Sequence, residues 1–203
     1  MTPFVRTAIG FSTLILLVVL PLAVFIGRSR SKVNVGLYWL VLYPLWYLSN
    51  SVFHEGAHYL ASALSGVQVK EVRLLPHFWA GDFVNAYVDT GVRTPFQAAL
   101  GSTAPYWSGV IWVACGLLIL RRLSGKPLLL SSLVLTVCCL RPLADLVNNY
   151  FGAVAFGFGD FANTAAAIGL PFMHLVALSL LALTVAGCIY GVWYTKFEHA
   201  QGA

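Results

Sequence analysis

The sequence predicts an all-α polytopic membrane protein, with about five transmembrane helices and a short membrane-associated β-hairpin between the second and third. Only 9% of its 203 residues are charged and 59% are hydrophobic, whereas an ordinary soluble domain has roughly 25% charged residues. The apolar residues also form runs long enough to cross a bilayer, which takes about 20 helical residues. So few polar groups cannot cover a soluble fold, which excludes a cytosolic enzyme, a disordered chain and a nucleic-acid-binding domain.

The five predicted spans share an apolar composition that few charges interrupt. They cover residues 4–27, 36–64, 96–120, 128–149 and 171–194. Arg28, Arg30 and Lys32 follow the first run directly, which is typical of the cationic residues that flank membrane helices. We therefore expect a single multi-pass integral membrane domain over residues 1–203, with the lipid bilayer as its surroundings.

The segment between the second and third spans differs from the rest of the chain. Over residues 67–94, valines alternate in part with polar residues, and Pro76, Gly81 and Gly91 supply turns. Partial alternation bounded by turn residues predicts short β-strands. The segment is also too polar to cross a membrane as a helix, so we expect a β-hairpin insertion there.

A motif of metal-binding type lies in the last turns of the second span. His54 and His58 are four residues apart and therefore share one face of a helix. Two imidazoles so placed can bind one Zn²⁺, and Glu55 can take a proton from a metal-bound water, as in HExxH metallohydrolases. Chance alone gives this pattern in roughly 0.2% of chains of this composition. We therefore predict His54 and His58 as metal ligands and Glu55 as the catalytic base.

A catalytic zinc usually has three protein ligands and one open position for water, so a further ligand is required. Asp145 is the favoured candidate, because spans two and four run parallel and it lies near the same end of its span as the histidines. Asp160, in a Gly-flanked loop on the same side, stays open as an alternative, ahead of His77 and His174. A salt bridge between Asp145 and Arg141, or a helix-capping role for Asp160, would explain these aspartates without a metal.

Two asparagines follow the favoured aspartate at helical spacing. Asn148 and Asn149 lie three and four residues after Asp145, so one or both can face the same site. They are candidates for binding a substrate carbonyl or for supporting a metal ligand. Hydrogen bonding between helices would also explain them.

These residues resemble the site-2 protease family of intramembrane zinc metalloproteases. The resemblance covers roughly residues 36–149 and rests on four features of the sequence. They are the motif Phe53-His54-Glu55-Gly56-Ala57-His58-Tyr59-Leu60-Ala61, the strand-like insertion after it, the small residues Gly101-Ser102-Thr103-Ala104-Pro105, and Leu143-Ala144-Asp145 in place of a Leu-Asp-Gly ligand motif.

The sequence departs from the family's pattern around the favoured aspartate. Leu146 follows Asp145 where the family has glycine, and Arg141 and Pro142 stand in place of an Asn/Pro-rich approach. Gly159-Asp160-Phe161-Ala162 also looks like a segment of shorter relatives of this family, which keeps Asp160 open as the third ligand.

The resemblance implies an intramembrane zinc endopeptidase that hydrolyses peptide bonds of transmembrane or membrane-adjacent protein segments, with Glu55 activating a zinc-bound water. Its expected partners are a transmembrane protein substrate and the bilayer, and no nucleic acid. One alternative is a non-proteolytic scaffold or chaperone-like relative with a structural metal site, which would not require Glu55. Another is a metal transporter, which would require ionisable residues along several spans and not at one depth.

Overall fold

A computed structural model describes residues 32–76, 86–123 and 128–201 of the chain. Over these residues the protein is mostly helical and contains one two-stranded sheet. The helices are α1 (Lys32–Leu64), α2 (Pro95–Arg122), α3 (Leu128–Val134), α4 (Arg141–Phe156), α5 (Asp160–Ile168) and α6 (Leu170–Gln201), and the strands are β1 (Val69–Arg73) and β2 (Tyr87–Thr90). A π-helical segment, Leu135–Leu140, joins α3 to α4.

Three helices within the described residues are long and apolar enough to cross a membrane: Pro95–Arg122, Leu130–Phe156 and Leu170–Tyr194. They correspond to the third, fourth and fifth predicted spans, and they indicate a membrane protein. The second predicted span is helical as part of α1. It is not one of the three helices. The first predicted span, 4–27, lies outside the described residues, so the count of five stays a prediction.

The predicted strand-like insertion is confirmed as a two-stranded antiparallel sheet between α1 and α2. β1 pairs with β2 so that Val72 lies opposite Val88 and Arg73 opposite Tyr87. The Tyr87 hydroxyl donates a hydrogen bond to Glu71 at 2.6 Å. This exposed contact raises the pKa of Tyr87, because the hydrogen bond to the carboxylate favours the protonated phenol. Residues 77–85 of the connection lie outside the described residues.

A glycine directly after an apolar helical run predicts a helix stop, and α1 ends in this way at Gly66. Gly66 adopts a φ of 73°, a left-handed conformation that glycine enters without steric cost. Its N–H donates to the Ala63 carbonyl at 3.2 Å, and the Val67 N–H donates to the Ser62 carbonyl at 2.9 Å. This pair of bonds is a Schellman motif, which satisfies the last carbonyls of the helix.

The chain divides into two compact units. The site unit comprises Leu48–Ser108 and Leu146–Leu181, and the packing unit comprises the described parts of Met1–Tyr47, Gly109–Asp145 and Ala182–Ala203. The core of the packing unit brings together apolar residues of α2, the π-helical segment and α6: Val113, Leu120, Leu135, Cys138, Cys139, Leu140 and Cys188. Gly116 and Gly187 let the helices of this unit approach closely, since a Cβ at either position would collide with Cys138 or Val113 respectively.

Candidate metal centre

The two histidines of α1 and one aspartate of α5 form a compact group in the site unit. The Nε2 atoms of His54 and His58 lie 3.1 Å apart. Asp160 Oδ2 lies 3.1 Å from His54 Nε2, and Asp160 Oδ1 lies 3.4 Å from His58 Nε2. The three side chains are largely shielded, with 13–16% of each exposed. Among the described residues, this is the group of histidine, cysteine and acidic side chains that could hold a metal ion.

Asp160 reaches the histidines because the chain turns sharply between α4 and α5. Gly157 ends α4 with a φ of 65°. Gly159, which precedes Asp160 and caps α5, has a φ of 91° and a ψ of −174°, a region of backbone conformation that is essentially restricted to glycine. Asn149 Oδ1 lies 2.9 Å from the position that a Cβ on Gly159 would occupy. The loop therefore requires glycine at residue 159 for its backbone conformation.

A backbone carbonyl of α2 fixes the protonation of one imidazole. His58 Nδ1 lies 2.8 Å from the Gly101 carbonyl oxygen. Because a carbonyl oxygen can only accept, the proton of a neutral His58 must sit on Nδ1, which leaves the Nε2 lone pair facing His54 and Asp160. Metal-binding histidines commonly donate their second ring N–H to a carbonyl in this way. The hydrogen bond thus prepares His58 Nε2 as a ligand atom.

Tyr106 of α2 holds the aspartate from the other side. Its hydroxyl donates a hydrogen bond to Asp160 Oδ2 at 2.7 Å. The ring stacks on Phe161 at a centroid distance of 4.6 Å and meets His54 edge-on at 5.9 Å. Sequence reasoning missed Tyr106, because a tyrosine within an apolar helix looks like any other packing residue.

The donor set and its spacing fit zinc. Two imidazole nitrogens and one carboxylate oxygen are ligands that Zn²⁺ commonly binds, and donors of a tetrahedral site with bonds of about 2.0–2.2 Å lie about 3.3–3.6 Å apart. Here the two imidazole nitrogens lie 3.1 Å apart, Oδ2 of Asp160 lies 3.1 Å from that of His54, and Oδ1 lies 3.4 Å from that of His58. Burial raises the pKa of Asp160, but hydrogen bonds from His54 and His58, donated when their Nε2 atoms carry protons, outweigh burial and hold that pKa well below its usual range. The carboxylate is therefore ionised, as a ligand must be.

Comparisons with known proteins add no assignment to this geometry. No protein-family model matches the chain, and no solved structure matches it.

Asp145, the ligand that the sequence favoured, is not a member of the group; the alternative, Asp160, is. Asp145 lies on α4 within the packing unit and interacts electrostatically with Arg141, one turn before it. Arg141 is 3% exposed, and its Nε donates to the Val137 carbonyl at 3.0 Å. The argument from parallel spans did not anticipate the Gly-rich loop after α4, which brings Asp160 beside the histidines.

The remaining residues that the sequence proposed for the site lie in different surroundings. Glu55 is partly buried on α1, next to His54, and its role as catalytic base stays a prediction. Asn149 lies against Gly159 of the Asp160 loop, whereas Asn148 is partly buried one residue earlier on α4. His174 forms a hydrogen bond with the Tyr150 hydroxyl, its Nδ1 lying 2.9 Å from the oxygen. His77 lies outside the described residues.

Proposed function

We propose that this protein is an intramembrane zinc endopeptidase that hydrolyses peptide bonds in transmembrane or membrane-adjacent segments of other proteins. The proposal rests on the close approach of His54, His58 and Asp160, whose Nε2 atoms and carboxylate group lie 3.1–3.4 Å apart. Three protein ligands are the number that catalytic zinc sites use, since the fourth position is left for water or substrate. Glu55 completes the HExxH pattern of zinc-dependent peptidases.

Each residue of the centre has a separate role in the proposed reaction. His54, His58 and Asp160 hold the ion, and the Gly101 carbonyl keeps the proton of His58 on Nδ1. When bound, zinc would polarise the scissile carbonyl and lower the pKa of a nearby water. Glu55 takes the proton from that water and delivers it to the departing amine.

The substrate class follows from where the chemistry takes place. Helices within the described residues are apolar enough to cross a membrane, and the HExxH motif lies on a helix of the same chain. Peptide bonds in a membrane helix are already paired internally, so a substrate must unwind before it can be cut. Within the described residues the sheet has two strands. An unwound segment could add to its edge by main-chain hydrogen bonds.

Paired measurements of zinc content and cleavage test the proposal. The purified protein is reconstituted with a panel of transmembrane peptides in vesicles, and products are identified by mass spectrometry. We expect the wild-type protein to bind one zinc and to lose cleavage with a chelator. Glu55→Gln should keep the zinc and lose cleavage, whereas His54→Ala should lose both.

Glu198→Gln is a matched control, because it makes the same chemical change in the last turns of α6, which belong to the packing unit. It should behave as wild type. A wild-type protein that binds no zinc would reject the metal centre, and wild-type cleavage by Glu55→Gln would reject the role of Glu55.

A further inference from the structure

The two carboxylate oxygens of Asp160 have different surroundings. Oδ2 accepts the hydrogen bond from the Tyr106 hydroxyl at 2.7 Å and lies 3.1 Å from His54 Nε2. Oδ1 lies 3.4 Å from His58 Nε2. A hydrogen bond from a hydroxyl to a carboxylate is among the stronger ones in proteins, so Tyr106 fixes the rotation of the carboxylate about its last bond.

Packing holds Tyr106 in this position. The residue is 2% exposed, and its ring stacks on Phe161, which is fully buried. Phe161 directly follows Asp160 on α5, so one tyrosine contacts two successive residues of that helix. A buried tyrosine hydroxyl requires a partner, and the carboxylate supplies it. The ring and the hydroxyl together leave Asp160 little freedom to rotate.

We propose that Tyr106 is a positioning residue that engages Oδ2 of Asp160 and thereby leaves one oxygen, Oδ1, as the metal ligand. The inference deepens the proposed function and rests on its metal centre. Two imidazole nitrogens and one oxygen give three donors, the number found in catalytic zinc sites. Binding through both oxygens would give four protein donors, so that a bound water would be a fifth ligand. The Tyr106 hydroxyl is thus what keeps the centre suited to catalysis.

Removal of two hydroxyls, one at a time, tests this inference. Tyr106→Phe deletes the hydroxyl and keeps the ring that stacks on Phe161. Tyr150→Phe is the matched control, because Tyr150 also contacts Phe161, edge-on at 5.9 Å, while its hydroxyl pairs with His174. The zinc dissociation constant is measured by competition with a chelator, and the visible absorption is measured on the Co²⁺-substituted protein. Thermal unfolding in detergent shows that each variant is folded.

We expect Tyr106→Phe to raise the zinc dissociation constant about 10- to 100-fold, as loss of a supporting partner does elsewhere. The Co²⁺ absorption should weaken, because a carboxylate freed to bind through both oxygens raises the coordination number above four. Tyr150→Phe should match wild type in both measurements. An unchanged affinity or an unchanged spectrum in Tyr106→Phe would overturn the inference, as would equal changes in Tyr150→Phe.

A measurement on the wild-type protein covers the case in which Tyr106→Phe does not fold. Small anions such as azide should alter the wild-type Co²⁺ spectrum, since three donors leave a position for them. A spectrum that azide does not change would overturn the inference. Failure of the wild-type protein to bind Zn²⁺ or Co²⁺ at all would instead reject the proposed function, so the two failures are distinct.

Discussion

Gln97 Nε2 donates a hydrogen bond to the Ser65 carbonyl at 2.9 Å, which joins the start of α2 to the end of α1. The same side chain accepts from the Thr94 N–H at 2.9 Å, and Thr94 Oγ1 accepts from the Gln97 N–H at 3.3 Å. These reciprocal bonds form a capping box at the start of α2. Because α1 carries both histidines and α2 carries Tyr106, Gln97 helps to fix the two helices that build the metal centre.

Two substitutions at Gln97 distinguish its hydrogen bond with Thr94, which caps α2, from its hydrogen bond to the Ser65 carbonyl at the end of α1. Gln97→Glu keeps an oxygen that accepts from Thr94 but loses the donor to Ser65, whereas Gln97→Ala loses both. At about 0.5–1.5 kcal/mol for each hydrogen bond, Gln97→Ala should lower the free energy of unfolding by roughly twice as much as Gln97→Glu. Unfolding in detergent micelles measures both variants, and equal losses would show that the cap contributes nothing.

Gly159→Ala should destabilise the site unit and weaken zinc binding. The φ of 91° and ψ of −174° are expensive for any residue with a Cβ, at about 1–3 kcal/mol. The new Cβ would also lie 2.9 Å from Asn149 Oδ1. Relief of the backbone strain moves Asp160, the next residue, so we expect a lower free energy of unfolding and a higher zinc dissociation constant.

Gly56→Ala is the control for this prediction. Gly56 lies within α1, and a Cβ there would meet nothing within 4 Å. Alanine is a better helix former than glycine by about 1 kcal/mol, so Gly56→Ala should leave the protein as stable as wild type or more stable. Wild-type zinc affinity in Gly159→Ala would contradict the role given to the loop.

The features that sequence reasoning recovered are those set by local rules. The spacing of His54 and His58 places them on one helical face, Gly66 ends α1, and the strand insertion follows from alternation and turn residues. The third, fourth and fifth apolar runs are helices long enough to cross a membrane. Each of these properties depends on neighbours within a few residues of the chain.

The features that sequence reasoning missed depend on contacts between distant segments. Topology favoured Asp145 over Asp160 because regular spans were assumed, whereas two glycines with positive φ, Gly157 and Gly159, turn the chain back. The Gly-Phe-Gly-Asp sequence was a hint of such a turn. No sequence pattern indicated a role for Tyr106, because its hydrogen-bond partner Asp160 lies 54 residues further along the chain.

Gly187→Ala should lower the stability of the packing unit. A Cβ at Gly187 on α6 would collide with the side chain of Val113 on α2. Overpacking of a core of this kind costs about 1–3 kcal/mol. Ala186→Val, at the exposed neighbouring position, adds more volume without such a contact and should be nearly neutral. Unfolding in detergent compares the two, and equal stability would contradict the close packing.

Zinc affinity should fall as the pH is lowered. Ligands must lose their protons to bind a metal, so protons and zinc compete for the same atoms. The pKa of Asp160 is held below its usual range by its hydrogen bonds with the histidines, so its carboxylate stays available in mild acid. Protons then compete with zinc at the imidazole nitrogens, which must be unprotonated to bind a metal.

A plot of the logarithm of the zinc dissociation constant against pH checks this expectation. It should rise towards acid, because protons compete with zinc for the ligand atoms. An affinity that does not change between about pH 5 and 8, the range in which histidines generally titrate, would contradict imidazole ligation.

Matched substitutions of the two aspartates should have opposite effects on metal binding and stability. Asp160→Asn keeps the size of the side chain but removes the charge that faces His54 and His58. The zinc dissociation constant should therefore rise at least about 100-fold, because loss of a ligand weakens binding at least as much as loss of a residue that only supports one. Asp145→Asn should retain zinc, but should lower the free energy of unfolding by about 1–3 kcal/mol, because it removes a charge that interacts with buried Arg141. Zinc titration and unfolding measure both variants. Loss of zinc in Asp145→Asn and its retention in Asp160→Asn would return Asp145 to the ligand set.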